Sequence, residues 1–147
     1  MILILMKTVS YLMTAILLCI EGICDLKKRE INLVIPAIFG VIGILMFCLS
    51  KDKNWIMFLG GAAEGLFVLV VSVITREGIG LGDALLLICT GILLGAENNL
   101  IMFLWACVFC SIISGILILC KKAGRKTRIP FVPFLIPGYL VMLLRGL

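Results

Sequence analysis

The chain has 147 residues, is 63% hydrophobic and only 14% charged, and carries a net charge of +5 with no histidine. A water-soluble domain of this length cannot hide so much apolar surface, so the composition excludes one and points to a membrane protein. Its basic residues lie in short loops rather than on a soluble face, which argues against a nucleic-acid partner and makes the lipid bilayer the surroundings of the whole chain.

Six apolar segments follow one another, over residues 2–23, 32–49, 55–74, 83–97, 100–120 and 130–146. The expected fold is an all-α polytopic membrane protein of six transmembrane helices, with residues 1–147 as one domain. The first segment is not read as a signal peptide. Lys7 interrupts its apolar run, no basic region precedes it, and no small-residue cleavage site follows. The loops after segments one, three and five hold nine Lys and Arg, among them Lys27, Lys28, Arg29, Lys121 and Arg125. The opposite loops and ends hold four: Lys7, Lys51, Lys53 and Arg145. The positive-inside rule then puts the nine in the cytoplasm and both termini outside. The fourth segment is short. Residues 84–98 make about 22 Å of helix against a hydrocarbon core of about 30 Å, yet it must cross if the later basic loop is to stay on the cytoplasmic side.

Cysteine gives little chemistry. Cys107 and Cys110 form a C-x-x-C, but on an apolar helix, with no second pair and no histidine in the chain. A zinc site needs about four ligands, so the seven cysteines read as small apolar residues and no metal is expected.

The carboxylates are more informative. In this topology Asp25 ends the first helix and Asp83 begins the fourth, at one membrane depth. Two close aspartates share a proton, so one can act as base on a water while the other polarises a carbonyl. Asp83 closes the run Gly78-Ile-Gly80-Leu-Gly82-Asp83. Alternating glycines at 78, 80 and 82 suit a loop that lies close to an extended peptide. Each aspartate also has a plainer reading: Asp83 as the N-cap of helix four, Asp25 as a solvated loop charge. Helix direction adds an asymmetry. The dipole favours the anion at a helix N-terminus and disfavours it at a C-terminus, which assigns the resting charge to Asp83. Glu21, one turn before Asp25, can tune it or face headgroups. Glu64, in the middle of Gly60-Gly-Ala-Ala-Glu-Gly65, is either a functional group at membrane depth or a polar tie between closely packed helices. The small neighbours favour the tie. Glu30 and Glu77 read as ordinary loop charges.

Asp25-Leu-Lys-Lys-Arg-Glu-Ile, then Gly-Ile-Gly-Leu-Gly-Asp83, then Ile129-Pro-Phe-Val-Pro-Phe134 together resemble the type IV prepilin peptidases and archaeal preflagellin peptidases. These are intramembrane aspartic proteases of the Gly-x-Gly-Asp type. The resemblance covers nearly the whole chain. It implies that Asp25 and Asp83 are catalytic and that no metal or cofactor takes part. It implies a substrate that is a prepilin-like membrane protein with a short basic leader, cut at the cytoplasmic face of the cell membrane. The larger relatives carry an inserted cytoplasmic domain with paired C-x-x-C motifs and also N-methylate the product. This chain has no such insertion, so it resembles the peptidase-only branch. It departs from the family pattern at Asn32, where proline is usual, and at Leu85, where lysine is usual. The rival readings are a small channel or transporter lined by Glu64, Asp25 and Asp83, and a non-enzymatic scaffold that binds pilin-like helices.

Overall fold

The computed structural model describes residues 1–28, 33–50, 53–74, 80–120 and 130–145. Expectations that rest on Arg29, Glu30, Asn32, Glu77, Gly78 and the basic run 121–128 lie outside the described residues.

Six helices make up the described chain: α1 (Ile2–Lys28), α2 (Val34–Leu49), α3 (Trp55–Ile74), α4 (Leu81–Leu94), α5 (Ala96–Leu119) and α6 (Val132–Arg145). The all-helical architecture agrees with the sequence. Three spans, Ile4–Lys27, Trp55–Ile74 and Ala96–Leu119, are long and apolar enough to cross a membrane. The helices α2, α4 and α6 are apolar but shorter.

The boundaries differ most from expectation at the end of α1 and at the break between α4 and α5, for identifiable reasons. First, α1 does not stop at the polar residues near 24 but runs on through Asp25 to Lys28. No glycine or proline interrupts Ile23 to Lys28, and Leu and Lys are good helix formers. Second, the fourth segment ends at Leu94, not at Glu97. Gly95 adopts φ +78°, a backbone conformation that side chains resist, and its N–H caps the helix by bonding the Gly91 carbonyl at 2.9 Å. Glu97 therefore belongs to the first turn of α5.

The short α4 is the hub of the bundle. It touches α1, α2, α3 and α5, and Ala84, Leu86, Leu87, Cys89, Thr90, Gly91, Leu93 and Leu94 are all buried. Side chains on lipid-facing helices need only be apolar, whereas a surrounded helix must also be thin. The thinness comes from glycine. A methyl group on Gly91 would collide with the Gly61 backbone of α3, and one on Gly61 with the Gly91 backbone. A Cβ at Gly65 would strike the backbone of Ile88, and Gly40 and Gly43 of α2 leave room for Cys89 and Leu93. Small residues let the backbones approach, the usual source of helix association in lipid. At the far end Phe47 of α2 stacks on Phe58 of α3, with centroids 4.1 Å apart.

Polar side chains tie the same helices together. Glu64 of α3 accepts from Asn99 Nδ2 of α5 at 2.9 Å, and the Thr90 hydroxyl of α4 donates to Asn99 Oδ1 at 2.7 Å. Thr90 and Asn99 are completely buried, so each needs a partner inside the protein. This is the tie that the small residues around Glu64 suggested. Between α6 and α1, the Tyr139 hydroxyl donates to the Tyr11 carbonyl at 2.8 Å.

Candidate active site

One end of the bundle gathers the C-terminus of α1 and the N-termini of α4 and α6. Each brings a polar group inward. Asp25, near the end of α1, is 6% exposed. The extension of α1 past residue 24 puts it on a packed helix, so the solvated-loop reading of Asp25 fails. The backbone N–H of Val132, the first residue of α6, donates to Asp25 Oδ2 at 3.1 Å. The Phe131 backbone lies next to the same carboxyl. Free N–H groups are what a helix start offers an acid, since the first turn has no partners of its own. That donor was absent from the helix-end argument about resting charge. It supplies Asp25 with part of what its own helix end denies it, so the dipole of α1 alone does not fix which aspartate holds the charge.

Asp83 is not the N-cap of α4. That position is Gly80, at φ −63°, ψ 132°, and Asp83 is the third helical residue. From there its carboxyl folds back and hydrogen-bonds the Gly80 backbone, the acidic half of a capping box. The geometry explains one of the glycines. A Cβ on Gly80 would sit 2.9 Å from Asp83 Oδ2, so a side chain there would push the carboxyl away. Gly82, expected in a loop, lies inside the first helical turn and is half-buried.

The two aspartates, 58 residues apart in sequence, are close enough for the charge of Asp25 to act on Asp83. A pair of carboxyls held this way has the elements of acid–base chemistry on an amide: an acceptor for a water proton and a donor for the carbonyl oxygen. Around them the packing is apolar, with Val132 and Ala84 fully buried. Glu21, one turn earlier on α1, is also fully buried and so does not face headgroups. Leu85 is half-buried on α4. Glu64 lies elsewhere, in the hydrogen-bonded tie to Asn99. Sequence reasoning found both aspartates but missed the α6 N-terminus as their neighbour. The only signal for it was the Pro130-Phe-Val-Pro133 stretch, whose prolines mark a helix start.

A family model described as the type IV leader peptidase family matches residues 12–115, a range that contains both aspartates. The chain is also 29% identical over 99 residues to the prepilin leader peptidase/N-methyltransferase of Bacillus subtilis (strain 168). That alignment covers 67% of this chain and 40% of the relative, so the chain spans less than half of the relative's length. No solved structure matches the chain.

Proposed function

The chain belongs to the type IV leader peptidase family, and on that premise we propose that it is a membrane-embedded aspartic endopeptidase. Its substrate is a prepilin-like membrane protein, and its reaction is hydrolysis of the peptide bond that joins a short basic leader to an apolar helix. Asp25 and Asp83 are the catalytic pair. One takes a proton from the attacking water, the other gives one to the carbonyl oxygen, and the tetrahedral intermediate collapses as the new amine is protonated. Gly80 keeps room for Asp83, and Gly82 stands beside it in the first turn of α4. The observation that carries the reading is that the α1–α4 junction brings Asp25 close enough for its charge to act on Asp83.

The proposal places the aspartate end at the cytoplasmic face of the cell membrane. All six helices cross, and both termini are outside. The last turn of α1 and the segments that follow α1, α3 and α5 in the sequence hold nine of the thirteen Lys and Arg, which supports this orientation. The activity proposed is leader cleavage alone. The channel reading loses its main support, since Glu64 is engaged by Asn99 in helix packing.

The test is co-expression with a prepilin-like protein encoded near the gene, followed by gel mobility and N-terminal sequencing. Loss of the leader with a new terminus at the leader junction supports the proposal. An intact substrate beside correctly inserted enzyme, across a panel of such substrates, favours the scaffold reading.

A further inference from the structure

The end of the bundle opposite the aspartates holds a cavity of about 450 Å³, between the ends of α1, α2 and α3 and the α4–α5 turn. Its volume is in the range of small-molecule sites, about 300–1,000 Å³. The walls are of two kinds. Met46, Phe47 and Phe58 make an apolar side, whereas Lys7, Tyr11 and Asn98 make a polar one. The polar groups are not equally occupied. Asn98 Nδ2 donates to the Tyr11 hydroxyl at 3.3 Å and to the Leu94 carbonyl at 3.3 Å. Glu97, also on the lining, is 3.6 Å from Arg145. Lys7 is the one basic residue of the lining, is exposed, and has no ion-pair partner among the described residues.

Lys7 is also the residue that the chain's function leaves unexplained. It stands three residues into the span Ile4–Lys27, in an otherwise apolar run. A lysine at that depth reaches the phosphate layer with its ammonium while its stem stays on apolar surface. We propose that this cavity is a phospholipid site: one acyl chain lies against Met46, Phe47 and Phe58, and the lipid phosphate sits on Lys7. A free phosphate compound would use the cation but not the apolar wall, and an uncharged glyceride would use the wall but not the cation. The amphiphilic lining selects the molecule that has both.

Native mass spectrometry of the full chain in detergent tests this, with phosphatidylglycerol, diacylglycerol and inorganic phosphate as separate probes. The expected result is one phosphatidylglycerol retained per chain, with neither diacylglycerol nor phosphate retained. Lys7→Gln, at an exposed position, lowers the retention about fivefold, the factor one basic side chain contributes at an anionic lipid surface. Met46→Trp, which fills the apolar side, also lowers it, with circular dichroism confirming the helical fold. Equal retention of diacylglycerol, or retention of phosphatidylglycerol unchanged by Lys7→Gln, overturns the proposal. Both readouts are independent of peptidase activity.

Discussion

The backbone N–H of Val132 donates to Asp25 Oδ2 at 3.1 Å, joining groups 107 residues apart. The bond fastens the start of α6 to the end of α1 and aims an otherwise unpaired helix N-terminus at a candidate catalytic carboxyl. A proline removes it, and an alanine at the same buried site controls for the lost side chain. Proline lacks the N–H yet is well accommodated at the first position of a helix. Val132→Pro is therefore expected to lower leader cleavage about tenfold, the range for a hydrogen bond to a charged group, whereas Val132→Ala keeps the donor and most of the rate. Initial rates of leader loss at matched enzyme levels measure this. Equal rates for the proline and alanine variants would remove the donor from the account.

The contact between Gly61 and Gly91 makes a prediction about stability. A methyl at either site meets the opposing backbone, which cannot rotate aside as a side chain can. Gly91→Ala is expected to cost about 1–3 kcal/mol through overpacking, despite alanine's better helix propensity. Thermal unfolding in detergent reads this as a lower midpoint, and an unchanged or raised midpoint would show that α3 and α4 can separate freely.

The Glu64–Asn99–Thr90 network separates packing from function. Asn99→Ala leaves the buried Thr90 hydroxyl and the Glu64 carboxyl without their shared partner, and is expected to cost about 1–3 kcal/mol. Glu64→Gln keeps a carbonyl oxygen for Asn99 to donate to. It should change stability by less than the Asn99 variant and leave cleavage intact. A folded Glu64→Gln protein without activity would return Glu64 to the list of functional residues.

Much of the fold can be read from the chain because apolar runs and polar loops alternate clearly in a membrane protein. The segment 55–74 matches α3 to the residue. The errors came where local chemistry competes. The end of α1 is polar but helical, because propensity and packing outweigh hydrophilicity from Cys24 to Lys28. The break before α5 falls on Gly95 because that backbone needs φ +78°, a requirement that hydropathy does not register. Asp25 and Asp83 stood out because carboxylates are rare in such a chain. Their neighbour did not, because a main-chain N–H has no letter in the sequence. Asn99 was likewise not paired with Glu64, nor Thr90 with Asn99, since helical partners 35 and 9 residues apart leave no local pattern.

The central claim is that Asp25 and Asp83 act as a unit. The most direct measurement is the leader-cleavage rate of Asp25→Asn, Asp83→Asn and the double variant, each checked for membrane insertion and fold. Residues that share one chemical step are strongly non-additive. Each single substitution is expected to lower the rate about 10³-fold or more, to background, with the double variant no slower than either. Cleavage that survives either substitution, or a double variant slower by the product of the two single effects, would contradict the two-aspartate mechanism.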